Sequence, residues 1–261
     1  MHGFLPPVPE ANLIDGDCLD LLREIPDGSV DLVLGDLPYA TTRCEWDKRI
    51  PMAPLWDELR RVITDKGAIV MFASQPFTTD LINAGRDLYK YSSVWKKTNT
   101  TGFLNAHDKP LKAHEDILIF SKGTTCSAKR SARRMTYNPQ GVTMREGMKV
   151  KDNRASVRFL GRNTRQNEGA TYTAMENCPT SVLEYSKDGN AHPTQKPVAL
   201  LTYLVNTYSN PGNLVLDPTM GSGSAGVAAL GCGRHFVGFE RDPEFFDIAE
   251  RRIAECVRGS L

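Results

Sequence analysis

Three acidic residues close three short apolar runs in this chain, and each leads into residues suited to hold a ligand. The first is Asp36, which follows Val30-Asp-Leu-Val-Leu-Gly and opens the tetrapeptide Asp36-Leu37-Pro38-Tyr39. A carboxylate, a backbone carbonyl and an aromatic ring within four residues can hold an amino-bearing heterocycle. The ring stacks on Tyr39, and the amino hydrogens go to Asp36 and the Leu37 carbonyl. Pro38 alone would also account for a turn that ends a strand. The second acid is Asp217, followed by Pro218, Thr219, Met220, Gly221, Ser222, Gly223 and Ser224. The third is Glu240, at the end of Arg234-His-Phe-Val-Gly-Phe.

The glycines do not by themselves identify a ligand. Gly221-Ser-Gly223-Ser-Ala-Gly226 matches the G-x-G-x-x-G dinucleotide pattern, and Glu240, one strand later, fits a ribose clamp. A nicotinamide dehydrogenase and other nucleoside binders both satisfy this. The Asp217-Pro218 pair ahead of the glycines tips the reading toward the second, with the dehydrogenase kept as a rival. A carboxylate there attracts a cationic ligand and repels a pyrophosphate. S-adenosylmethionine carries a sulfonium, an ammonium and a ribose, which suits the two acids.

Alternating strands and helices must position these residues. Cys18, Leu21, Leu22 and Ile25 form a helical stripe over 17–25, and Leu55, Leu59 and Val62 form another over 50–63. Helices are also expected over 76–86, 197–208, 222–230 and 243–257, the last with Asp242 as its cap. Strands are expected over 30–36, 67–72, 90–96, 116–120, 213–217 and 234–240. Such alternation predicts an α/β fold: a Rossmann-like, mostly parallel sheet with helices on both faces. In sheets of this kind ligands bind beyond the carboxyl ends of the strands, where the three acids fall.

Composition narrows the class. Of 261 residues, 40% are hydrophobic and 24% charged, which excludes a disordered, collagenous or coiled-coil chain. No run reaches the roughly 18 apolar residues of a membrane span. Met1 to Glu10 lacks a basic start followed by an apolar run, so no signal peptide and a cytoplasmic location are expected. The six cysteines, at 18, 44, 126, 178, 232 and 256, include no CxxC pair, so no metal is expected. The net charge of +1 hides a segregation. Residues 122–187 hold 13 Lys/Arg against 5 Asp/Glu, and the remaining residues hold 19 against 26. A basic block on a mildly acidic body suits a polyanion or a solubilising loop.

These motifs resemble those of DNA amino-methyltransferases. Asp36-Leu-Pro-Tyr39 resembles the catalytic (D/N/S)PP(Y/F/W) motif, with Leu37 where Pro is usual. The segment from Asp217 to Ser224 resembles the cofactor motif, and His192-Pro-Thr-Gln-Lys196-Pro197 is similar to the stretch before it. The catalytic motif comes first, then the basic block, then the cofactor motif. That order resembles the circularly permuted β group. The resemblance covers 12–121 and 190–257. It implies a class I methyltransferase fold over 1–121 and 188–261, with 122–187 as an inserted target-recognition region.

It further implies methyl transfer from S-adenosylmethionine to an exocyclic nitrogen of a flipped base in duplex DNA, in a restriction–modification setting, with a homodimer plausible. Asp36, Leu37, Pro38 and Tyr39 would be catalytic. Asp17, Cys18, Lys196, Asp217, Pro218, Thr219, Gly221, Ser222, Gly223, Ser224 and Glu240 would hold the cofactor. Lys96, Lys97, Arg130, Arg133, Arg134, Arg154, Arg158, Arg162 and Arg165 would meet DNA. Adenine N6 is the favoured acceptor, because the cytosine-N4 enzymes more often carry Ser where Asp36 stands. An RNA or protein-amide N-methyltransferase is the more distant alternative. A cytosine-C5 mechanism would need a Pro-Cys nucleophile, and no Cys follows a Pro here.

Overall fold

The computed structural model describes residues 9–39, 48–125, 132–144, 175–186 and 195–259. The chain forms two compact units, one of 1–138 with 181–261 and one of 139–180.

The first unit is built on an eight-stranded sheet. Its strands in chain order are β1 (Ala11–Asp15), β2 (Val30–Gly35), β3 (Ile63–Ala73), β4 (Tyr89–Thr101), β5 (Lys112–Phe120), then β8 (Val182–Tyr185), β9 (Leu214–Asp217) and β10 (His235–Glu240). The spatial order is β1-β10-β9-β2-β3-β5-β4-β8. Within it only β5 runs against its neighbours. The carboxyl ends of the parallel strands therefore share one edge with the amino end of β5.

Side chains alternate across this sheet with period two. On β3, Ala68, Val70 and Phe72 enter one core while Ile69, Met71 and Ala73 enter the other. Ile117 and Ile119 of β5 join the first core, and Leu118 and Phe120 the second. The first core is covered by α4 (Val198–Tyr208), α5 (Ser224–Gly231) and α6 (Pro243–Gly259). The second is covered by α1 (Cys18–Leu22), α2 (Met52–Val62) and α3 (Phe77–Ala84). A mostly parallel α/β sheet with helices on both faces is thus the observed fold. Among the described residues no helix is long and apolar enough to cross a membrane.

The elements differ from expectation in extent. The first helix is only five residues, because Arg23, Glu24 and Ile25 close by i→i−3 bonds rather than continuing. Strands β3, β4 and β5 run longer than expected. β1 and β8 were not expected; each is an edge strand too short to show a clear alternation. Several residues of the expected 122–187 insertion belong to the first unit. Thr124 and Arg134 form a bridge, Met135 is buried in the first core, and β8 pairs with β4. The second unit, by itself, pairs β6 (Thr143–Met144) with β7 (Met175–Glu176), and Asn177 Nδ2 donates to Thr143 Oγ1 at 3.1 Å.

Candidate active site

A cavity of about 530 Å³ opens at the carboxyl edge of the sheet. Each wall comes from a different strand end. The turn after β1 supplies Asp17, which caps α1 by accepting from Leu19 N at 2.9 Å and also lines the cavity. The segment after β2 supplies Asp36, Leu37, Pro38 and Tyr39. β9 ends in Asp217, and the loop into α5 supplies Pro218, Thr219, Gly221 and Ser222. β10 ends in Glu240. The paired ends of β4 and β5 add Trp95, Lys97, Thr101, Lys112 and Glu115.

At the catalytic tetrapeptide, Tyr39 donates its hydroxyl to Asp36 Oδ1 at 3.0 Å, and its ring lies 5.0 Å from that of Phe77. Burial, reinforced by the carboxylates of Asp36 and Glu115, holds the Tyr39 phenol well above its usual range. The other Asp36 oxygen pairs with Lys196. Lys196 is mostly shielded from solvent and also lies 3.4 Å from Glu115, whose other oxygen pairs with the buried Lys97. Burial favours neutral Lys196, but Asp36 and Glu115 outweigh it and raise the ammonium above its ordinary value. Burial raises Glu115, and the ammonium groups of Lys196 and Lys97 overcome this to hold it below the usual range. The cavity floor is thus a charge chain: Asp36, Lys196, Glu115, Lys97.

The glycine loop is anchored to the same tetrapeptide, since Thr219 Oγ1 donates to the Asp36 carbonyl at 3.2 Å. Asp217 accepts from Thr219 N at 3.0 Å. Burial pushes the Asp217 carboxyl up to about 8, with the Thr219 N–H opposing and the charges of Asp36 and Glu240 adding. Glu240 accepts from the backbone N–H groups of Gly221, Arg241 and Asp242 at 2.8–2.9 Å. It therefore shapes the loop as well as facing the cavity, and burial raises it too. Arg252 of α6 holds Ser222 and Ser224 in place.

Comparison with known proteins gives this geometry a family. A model of the N6/N4 methyltransferases, described as DNA methylase, matches residues 30–251. The chain belongs to the N6/N4 family of DNA methylases. Curated relatives of the same kind include the Type II methyltransferase M.HinfI of Haemophilus influenzae. It is 28% identical, across 93% of this chain and 68% of that protein. The DNA adenine methyltransferase YhdJ of Escherichia coli strain K12 is also 28% identical, across 92% of this chain and 82% of that one. Among solved structures, the M1.HpyAVI–SAM complex matches with a TM-score of 0.60 at 21% identity, covering 93% of this chain and 98% of that one. The cytosine-N4-specific PvuII DNA methyltransferase matches at 0.65 and 15% identity, covering 98% and 95%. These two likenesses show the fold.

S-adenosylmethionine is the methyl donor of this DNA methylase family. The cavity fits such a group. Its size is that of a small-molecule site, its walls pair carboxylates with Phe239 and Phe245, and one of its buried acceptors, Gln195 Oε1, has no hydrogen-bond partner among the described residues. Among the described residues no cluster of His, Cys, Asp or Glu could hold a metal ion.

In this DNA methylase all but one of the expected catalytic and cofactor-binding residues meet in the cavity. Asp17, Cys18, Asp36, Leu37, Pro38, Tyr39, Lys196, Asp217, Pro218, Thr219, Gly221, Ser222, Ser224 and Glu240 all line the cavity. Cys18 is buried, which together with Asp17 pushes its thiol up to about 12, so it serves as apolar wall. Gly223 does not line the cavity. Its φ of 76° starts α5, and a Cβ there would lie 3.0 Å from Ala249 Cβ, so its glycine serves the turn and helix packing. Lys196, expected beside the cofactor, lines the cavity and pairs with Asp36 there.

Of the expected DNA-facing residues, Lys97 departs most: it is buried against Glu115 and Trp95 inside the cavity. Lys96 is exposed and 3.0 Å from Glu184, and Arg133 and Arg134 are exposed. Arg130, Arg154, Arg158, Arg162 and Arg165 lie outside the described residues. The sequence reading missed Glu115, Lys112, Trp95, Phe72 and Gln195. The available signal was a charged His-Glu-Asp run entering an otherwise apolar strand, which a half-buried strand end also explains.

Proposed function

We propose that this chain methylates the exocyclic N6 of adenine at specific sites in duplex DNA, as a β-group enzyme acting on a flipped base. The observation that carries the reading is the junction of Asp36 and Tyr39 with the Asp217 loop in one cavity, tied by Thr219. The order of the two motifs along the chain supports the β group. The likeness to YhdJ, a DNA adenine methyltransferase, supports adenine. The homodimer expected from the resemblance is part of this reading, and sedimentation at working concentration tests it.

Each residue then has a task. S-adenosylmethionine, when bound, supplies the electrophilic methyl group. Asp36 and the Leu37 carbonyl accept the two amino hydrogens of the base. This favours a tetrahedral nitrogen whose lone pair is free to attack, and it stabilises the positive charge that grows there. Tyr39 packs on the base while its hydroxyl steadies Asp36. Lys196, anchored by Glu115, fixes the remaining Asp36 oxygen. Asp217 gives up its proton to a bound cation and then faces it with a buried negative charge, and Asp17 and Glu240 offer acceptors to nucleoside hydroxyl and amino groups. The basic residues of 122–187 serve as the phosphate-binding, target-recognition surface.

The test is transfer of labelled methyl from S-adenosylmethionine to unmethylated duplex DNA, with nucleoside analysis and an Asp36→Ala control. N6-methyladenine that disappears in the control is the expected result. N4-methylcytosine would overturn the base assignment, and label in RNA or protein but not DNA would overturn the substrate.

A further inference from the structure

Among the described residues the two most exposed large apolar side chains are sequence neighbours, Phe103 at 67% and Leu104 at 99%. Scattered exposed apolar residues are ordinary. This pair is distinguished by where it stands and how it is held. It sits on the hairpin loop between β4 and β5, and the residues paired at the base of that loop, Thr101 and Lys112, both line the cavity. The loop therefore rises from the rim of the site. Gly102, at φ 96°, turns the chain into a 3₁₀ turn over Phe103–Asn105. Four backbone bonds of 3.0–3.1 Å close it, from Asn105, Ala106, Asp108 and Lys109 to Gly102, Phe103 and Asn105. Every residue from 101 to 110 is exposed. The loop is thus shaped by its own hydrogen bonds and presents its apolar pair outward.

The local charge selects the partner. Lys109 and Lys112 form no ion pair among the described residues, and Asp108 is the single acid between 102 and 112. A small apolar tip on a basic stem is poorly matched to a protein interface, which needs a far larger apolar core. It is well matched to a duplex, whose phosphates attract the stem and whose base steps accept apolar wedges. Turning a base out of the stack costs a few kcal/mol. A side chain that occupies the gap recovers part of that.

We propose that Phe103 and Leu104 form a wedge that enters duplex DNA beside the acceptor base and fills the space it leaves on turning into the cavity, with Lys109 on the phosphates. This rests on the reading of the chain as a methyltransferase of duplex DNA.

The test compares wild type with a Phe103→Ala/Leu104→Ala double variant on two oligonucleotide duplexes. Both carry the site at which wild type labels plasmid DNA, and one lacks the base opposite the acceptor, so its acceptor is already unpaired. On the intact duplex kcat/KM is expected to fall by about tenfold or more, the equivalent of one to two kcal/mol of a flipping cost. On the gapped duplex the variant should match wild type. Its melting temperature and its affinity for S-adenosylmethionine should be unchanged, because both side chains are exposed and neither lines the cavity. Equal losses on both duplexes, or no loss on either, would overturn the wedge and leave the methyltransferase reading standing. Unchanged rates with loss of self-association in sedimentation would assign the pair to a second copy of the chain. Failure of wild type to methylate any DNA would remove wedge and reading together.

Discussion

At the residue scale the site is governed by buried charges whose energies oppose one another. Asp217, pushed up to about 8, is the group whose ionised form the folded protein disfavours. Its folded value lies above that of an unfolded aspartate, about 3.9. Its stabilising effect is therefore complete below about pH 4 and is lost as pH rises through about 8. A cation that binds ionised Asp217 at pH 7 must displace a proton. Calorimetry of S-adenosylmethionine binding in buffers of different ionisation heat should show release of about one proton by wild type and none by Asp217→Asn. That variant should bind at least about tenfold more weakly, the scale of one charge-assisted contact. Identical heats in every buffer would remove Asp217 as the cation's partner. Glu115 has the opposite sign. Lys196 and Lys97 hold it down against burial, so its stabilisation is present above the ordinary glutamate range and lost as pH falls through its lowered value. Glu115→Gln leaves the buried Lys97 ammonium without its counter-charge, while Lys196 keeps Asp36, and should cost about 3–5 kcal/mol in urea unfolding. The difference from wild type should narrow in acid. A loss comparable with that of an exposed pair, below about 1 kcal/mol, would mean water reaches the chain of charges.

At the element scale the glycine loop shows how one motif serves two purposes. Gly221 faces the cavity and takes a positive φ of 50°. Gly226, which completes the formal dinucleotide pattern, has a packing role instead. A Cβ there would lie 2.6 Å from Ile253 Cδ1 and 2.8 Å from Phe236 Cε1, so α5 reaches β10 and α6 only without a side chain. Gly226→Val should destabilise the fold by about 1–3 kcal/mol or more by overpacking; an unchanged urea midpoint would show that the helix can shift. The same scale explains which elements were legible in the sequence. α2 and α6 show their amphipathic periods plainly, and Asp242 caps α6 at 3.0 Å from Glu244 N, as its type suggests. β1 and β8 were not legible, because four or five residues at a sheet edge carry too little alternation, and their pairing partners lie far away in the chain.

At the scale of the whole molecule, the segregation of basic residues into 122–187 should appear as salt dependence. Each phosphate contact contributes a slope of about −0.9 in log K against log salt. Neutralising Arg133 and Arg134, both exposed, should reduce the slope by about two if each meets a phosphate; filter binding across a salt series measures it, and an unchanged slope would place DNA elsewhere. The sequence by itself determined that Asp36, Asp217 and Glu240 would stand at one edge of a parallel sheet, because strand patterning and turn residues are local and the parallel fold places strand ends together. It also determined most of the cavity wall, since those residues follow directly on the strand ends. Only the tertiary structure decided which charges meet. Lys196 reaches Asp36 across 160 positions, and Glu115 joins them because β5 alone runs antiparallel and brings its amino end to the same edge. That register is a product of long-range strand pairing, and no local pattern in the chain encodes it.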